Sequence, residues 1–233
     1  MFHGFGQTLK VFEGWIPELT EKYTVYTFDL FYHGYSTGPK KKLTKKIWWE
    51  MISRFLTDHK IKDFSVLGFS LGSRFALAIA MRFNIKSLYL IAPDGVYKSP
   101  VYVFAVTFRR FFKFLMIHPT FFNRAIEWVE NKKIIDPSLI KFAKLELREF
   151  SDRQRVYYSW VFFNPLLYKK ILIRSQLIAK KVKTVVFLGS KDKIIPVSVI
   201  SPTFQNIESA NVKILDCRHH ELIDKVIPLL LTE

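Results

Sequence analysis

Apolar residues along this chain fall into two alternating rhythms. Short β-branched and aromatic runs bounded by turn formers lie at 24–28, 64–67, 87–91, 184–188 and 212–215, and each predicts a buried strand. Between them, apolar positions at three- and four-residue spacing predict helices over 9–22, 46–59, 70–83 and 221–231. Strand and helix in alternation predict an α/β fold: a mostly parallel sheet with helices on both faces.

The rhythm breaks from 94 to 183. That stretch is helix-like, aromatic and basic, without a strand pattern. It predicts a helical insertion between two sheet strands, lying over the strand ends as a cap or lid. The expected organisation is a core of 1–93 and 184–233 with the cap at 94–183.

Composition narrows the class. A chain of 233 residues can bury one good core, and 49% hydrophobic residues exclude a disordered polymer. No apolar run approaches the roughly 20 residues of a transmembrane helix. The start, Met1-Phe2-His3-Gly4, lacks the basic and apolar regions of a signal peptide. The single cysteine, Cys217, excludes an internal disulfide framework and fits a reducing compartment. The expected location is cytoplasmic, with peripheral membrane contact as a variant of it.

Charge changes the picture more. The formal net charge is +16, and residues 94–183 hold 18 Lys and Arg against 7 Asp and Glu, so +11 of it sits in the predicted cap. Aromatics crowd the same segment, at 101–117 and in Tyr157-Tyr158-Ser159-Trp160-Val161-Phe162-Phe163. The plain reading is cap helices packed on the sheet and each other. The sharper one is an apolar acyl pocket with a basic rim, suited to lipid-like esters or to an anionic membrane. Nucleic acid is not an expected partner, because the aromatics lie in apolar runs instead of alternating on a polar sheet face. The sequence leaves the oligomeric state open.

Candidate chemistry begins at Gly68-Phe69-Ser70-Leu71-Gly72, between a predicted strand and a predicted helix. That is the context a G-x-S-x-G turn needs: it lifts the Ser70 hydroxyl off the sheet, at a helix N-terminus where the Leu71 N–H can meet a developing oxyanion. The alternative is a structural turn. His3-Gly4-Phe5-Gly6-Gln7 offers a second amide, that of Phe5, or else a glycine loop without a role. Asp192, after the strand 184–188, stands where an acid orienting a histidine belongs, or caps a turn. His219 and His220 follow the last strand, and either can serve as the base that takes the Ser70 proton. The order Ser70, Asp192, His219/His220 is nucleophile, acid, base. No histidine or cysteine spacing suggests a metal, no glycine-rich phosphate or dinucleotide loop follows a strand, and such chemistry needs no cofactor.

These motifs, with Asp29-Leu30-Phe31-Tyr32-His33-Gly34-Tyr35-Ser36 and Arg218-His219-His220, resemble the α/β-hydrolase superfamily over almost the whole chain. The resemblance implies an α/β-hydrolase fold with a helical cap, a triad of Ser70, Asp192 and one histidine, and oxyanion amides from Phe5 and Leu71. It assigns His33 and Gly34 to a structural loop. Two departures stand out. Arg218 or His219 occupies the place where the family has glycine before its histidine, which keeps both His219 and His220 open. Only Met1 and Phe2 precede the His3 turn, where the family has two or three strands. The expectation is a truncated or mis-started chain, with unpaired ladder edges beside the missing inner strand.

Three functions are compatible with these features. The first is hydrolysis of a carboxylic ester of a small, apolar substrate. The second is a thioesterase or acyltransferase using the same nucleophile. The third is a catalytically inactive protein of this fold that binds a membrane or partner.

Overall fold

The computed structural model describes residues 1–133, 135 and 137–230. A 3-10 helix at Leu9–Trp15 and α1 (Ile16–Thr20) open the chain, followed by α2 (Lys45–Asp58), β1 (Val66–Phe69), α3 (Gly72–Arg82) and β2 (Ser87–Ile91). Five helices come next: α4 (Pro100–Thr107), α5 (Arg109–Ile117), α6 (Pro119–Asn131), α7 (Pro137–Glu146) and α8 (Phe150–Val161). The chain then returns through α9 (Lys170–Lys180), β3 (Lys183–Gly189), α10 (Val197–Ile200), β4 (Ala210–Leu215) and α11 (Leu222–Leu230).

The four strands are parallel and pair in chain order, β1-β2-β3-β4. Side-chain alternation sends Val66, Leu88, Leu90, Val186 and Leu188 to one face, where α2, α3 and α9 supply Trp48, Ile52, Phe75, Ile173 and Leu177. Leu67, Phe69, Ile91, Val185 and Phe187 face the other way, onto Phe12, Trp15 and α11. Helices therefore cover both faces, as the alternation predicts. Thr44 caps α2 through the Ile47 amide, and Ser99 followed by Pro100 opens α4 through the Tyr102 amide.

Several predicted elements move. Residues 24–28 form no strand; Phe28 makes a single parallel bridge to Phe2, which also bridges Gly68. Phe2 donates to the Leu67 carbonyl at 3.0 Å, Phe69 donates to the Phe2 carbonyl at 2.9 Å, and Phe28 donates to the Met1 carbonyl at 3.2 Å. Met1 and Phe2 thus occupy the slot between Phe28 and β1, and at this point the expected open ladder edges are closed. The predicted strand 64–67 lies two residues later, and the helix predicted over 9–22 divides into a 3-10 turn and α1, with Pro17 in the first turn of α1. The final helix is described to Leu230; its predicted end at Leu231 and the core's end at 233 lie outside the described residues.

The inserted helices have a cluster of their own, Ala105, Phe112, Met116, Phe122, Val156 and Val161, with Phe5 and Phe162 packed against it. Buried Arg153 ties it together, donating from Nε to the Met116 carbonyl at 3.0 Å and from a guanidinium nitrogen to the Leu147 carbonyl at 3.0 Å. Helix α9 differs from α4–α8, since its Ile173 and Leu177 join the sheet's own core.

Candidate active site

Four strands end at four consequential residues. Ser70 follows β1, Asp94 follows β2, Asp192 follows β3 and His219 follows β4, so all gather outside the carboxyl edge of the sheet. Ser70 has φ +48°, left-handed backbone that a serine adopts only when its surroundings force it. Its amide donates to the Ile91 carbonyl at 2.8 Å, and its carbonyl accepts from Ser73 at 3.0 Å and Asp94 at 3.2 Å. The flanking glycines are needed for space. A Cβ on Gly68 would lie 2.6 Å from the Ser73 Cα, and one on Gly72 would collide with the Phe2 carbonyl.

The Ser70 Oγ lies 3.0 Å from Nε2 of His219, and Nδ1 of His219 lies 2.6 Å from Oδ2 of Asp192. The Asp192 side chain is fully buried, and its Oδ1 accepts from the amides of Ile194 and Ile195, both at 2.8 Å. A carboxylate only accepts, so Nδ1 carries the proton and Nε2 is left to accept from the serine hydroxyl. The His219 ring stacks on Phe69 at 5.4 Å between centroids. Of the two candidate histidines, His219 meets Ser70, while His220 is exposed one residue further on. The Arg218 amide donates to Glu221 at 2.7 Å, which secures the turn carrying both.

Leu71 follows Ser70 directly at the N-cap of α3, and Phe5 lies in the loop after Phe2, which hydrogen-bonds to β1. Leu71 is buried, and among the described residues neither its N–H nor that of Phe5 donates to any acceptor. A buried amide without an acceptor, such as that of Leu71, is rare.

The loops behind Phe5 are held by residues that motif reading did not single out as functional. His3 is fully buried, donates from Nδ1 to the Gly4 carbonyl at 2.7 Å and accepts at Nε2 from the Leu30 amide at 3.0 Å. Burial lowers its pKa below the ordinary range. Asp29 accepts from the amides of Leu9 at 2.8 Å and Tyr35 at 3.2 Å, and a Cβ on Gly34 would collide with its carboxylate. His33 packs against both His3 and Phe5, and burial pushes its pKa down to about 4.

Arg74, one helical turn beyond Ser70, pairs with Asp94 at 2.8 Å while almost wholly buried. Its guanidinium lies over the Tyr102 ring and donates to the Ser159 carbonyl at 3.3 Å, joining α3 to α4 and α8. The sequence signal was one cation inside the apolar helix Leu71-Gly72-Ser73-Arg74-Phe75-Ala76-Leu77. Helix α8 also grips the loop at Tyr32, through stacking of Tyr158 at 4.4 Å and donation from Arg155 to the Tyr32 carbonyl at 3.2 Å. A cleft of about 320 Å³ opens among α6, α7 and α8, with no wall from Ser70, Asp192 or His219. Among the described residues no group of three or more His, Cys, Asp or Glu side chains could hold a metal, and no helix is long and apolar enough to cross a membrane.

Comparison with known proteins gives a consistent fold. The family model described as "alpha/beta hydrolase fold" matches residues 1–226. A pimeloyl-[acyl-carrier protein] methyl ester esterase of Legionella pneumophila is 28% identical over 103 residues, 44% of this chain and 38% of that protein. The match thus spans well under half the relative's length. A hydrolase from Pseudomonas aeruginosa superposes with a TM-score of 0.70 at 20% identity, covering 99% of this chain and 86% of the other. A thermophilic esterase from Thermogutta terrifontis superposes with a TM-score of 0.71 at 16% identity, covering 98% and 86%.

Proposed function

Because this chain belongs to the α/β-hydrolase fold family, we propose that it is a serine hydrolase cleaving a carboxylic ester with Ser70, His219 and Asp192. The observation that carries the reading is the relay itself, 3.0 Å from Ser70 to His219 and 2.6 Å from His219 to Asp192. The left-handed backbone at Ser70 supports it, since strain of this kind persists where a function uses it.

In the proposed reaction, the Ser70 Oγ attacks the ester carbonyl carbon and passes its proton to Nε2 of His219. The carbonyl oxygen becomes an oxyanion that accepts from the Phe5 and Leu71 amides. The tetrahedral intermediate collapses, the ester C–O bond breaks, and the departing alkoxide takes the proton from His219. Water then attacks the acyl-serine, giving up a proton to His219, which returns it to Ser70 as the carboxylic acid leaves. Asp192 holds the imidazole in the required tautomer and stabilises its charged form.

The helices between β2 and β3 serve as the cap in this reading. The contacts of α8 with Tyr32 and Arg74 support it, as does the packing of Phe5 against the inserted cluster. The same aromatic surroundings favour a small, apolar acyl substrate. A cytoplasmic place of action is part of the proposal, supported by the single thiol at Cys217. Turnover of a panel of p-nitrophenyl esters tests the function. Ser70→Ala should lower kcat by at least about 10⁴-fold without loss of fold, and unchanged turnover in that variant would refute the assignment.

A further inference from the structure

The outer face of the inserted helices presents apolar surface that the proposed hydrolysis does not use. Phe104, Phe108, Phe111, Phe114 and Phe121 are each between 38% and 57% exposed. Their rings form one band: centroids lie 5.2 Å apart for Phe104 and Phe108, 6.2 Å for Phe104 and Phe111, 6.4 Å for Phe111 and Phe114, and 5.0 Å for Phe114 and Phe121. Val103, Ile117 and Trp128, on the same three helices, are exposed as well.

Core packing does not account for this band. Helix α5 already spends Phe112 and Met116 on the buried cluster with Val156 and Val161. Phe111 and Phe114 face away from it, so α5 is apolar on two sides. Contiguous exposed aromatic surface of this kind marks a binding site on a folded protein.

Charge selects the partner. Arg109, Arg110 and Lys113 are exposed on α5, the helix that carries Phe111 and Phe114, and make no ion pair among the described residues. No Asp or Glu occurs from residue 95 to 126. The run Phe108-Arg109-Arg110-Phe111-Phe112-Lys113-Phe114 thus offers phenyl rings and unneutralised cations at the scale of two helical turns. A helix lying in a bilayer surface uses this combination: rings enter the acyl boundary while guanidinium and ammonium groups reach up to phosphates. An acidic protein would satisfy the three cations and leave the rings to be covered.

We propose that α4, α5 and α6 form a docking surface for an anionic phospholipid membrane, with the band of phenylalanines inserted and Arg109, Arg110 and Lys113 in the headgroup layer. Phe5 packs against the inner side of these inserted helices, so docking would hold the Ser70 site near the lipid surface. Membrane binding here does not depend on Ser70 chemistry.

The test is flotation of the full chain with vesicles of phosphatidylcholine alone or mixed with phosphatidylglycerol. The protein should float with the anionic vesicles, not with the neutral ones, and raised salt should release part of it. Phe111→Ser/Phe114→Ser/Phe121→Ser should lower the bound fraction at equal lipid by about tenfold or more. Arg109→Gln/Arg110→Gln/Lys113→Gln should weaken binding and remove its salt dependence. Far-UV circular dichroism and thermal midpoint report the fold of each variant without reference to activity. The proposal is overturned if the folded chain does not float with anionic vesicles, or floats equally after the phenylalanine substitutions. It is also overturned if polyglutamate binds as tightly as the vesicles, or if the band instead drives a self-association that those substitutions abolish.

Discussion

Replacing Asp192 with asparagine keeps the side chain's size and removes its charge. Its Oδ1 accepts from the Ile194 and Ile195 amides, both at 2.8 Å, and its Oδ2 accepts from His219. The two loop amides can only donate, so they claim the asparagine carbonyl oxygen. The NH₂ group then faces Nδ1 of His219, which must accept. The imidazole proton moves to Nε2, where it points at the Ser70 Oγ 3.0 Å away and cannot take the hydroxyl proton. A reversal of tautomer costs about 10⁴ in kcat, or ~5 kcal/mol of transition-state stabilisation. The fold loses little, because both amides keep an acceptor: ~1 kcal/mol per bond for exchanging a charged acceptor for a neutral one. Asp192→Ala behaves differently, since it strands two inward-facing amides at about 1–3 kcal/mol each. The assay pairs kcat on a soluble p-nitrophenyl ester with urea unfolding of each variant. A folded Asp192→Asn enzyme retaining more than about a tenth of wild-type kcat would refute the orienting role.

His219→Ala should lose at least about 10³-fold in kcat while His220→Ala stays within a few-fold, measured on the same ester. Gly72→Ala drives a methyl group into the Phe2 carbonyl and should destabilise the fold by about 1–3 kcal/mol in urea titration. Arg74→Leu leaves the partly exposed Asp94 without its 2.8 Å partner and should cost about 1–3 kcal/mol, read from the same titration. His33 stays neutral in the fold down to about 4 against an ordinary 6.5, so the unfolded chain binds a proton that the native chain refuses. Its contribution is therefore full above about 6.5 and is lost as pH falls toward 4, ~3 kcal/mol in all. Unfolding measured between those limits should show a shallower slope in His33→Gln.

The sheet was readable because its central strands are buried on both faces and therefore continuous in sequence, as at 87–91 and 184–188. Residues 24–28 carry the same residue types, yet their partner is the two-residue segment Met1-Phe2, and a single bridge at Phe28 results. Propensity states what a segment can be; the partner decides what it becomes. Ser70, Asp192 and the histidine pair were legible because each follows a strand and keeps chain order. Choosing between His219 and His220 required the direction of one side chain, which no spacing encodes. Arg74–Asp94 was not legible, since the two are 20 residues apart and meet only because β1 and β2 are neighbours. The aromatic band of the inserted helices was visible as composition, and only the fold separates buried Phe112 from exposed Phe111.

Ser70 is the nucleophile of the proposed reaction. Peptide mapping by mass spectrometry after reaction of the folded chain with a fluorophosphonate tests it most directly. One stoichiometric phosphonyl adduct should form, on Ser70, and His219→Ala should suppress it. An adduct on another residue, or none on the folded protein, would contradict the assignment.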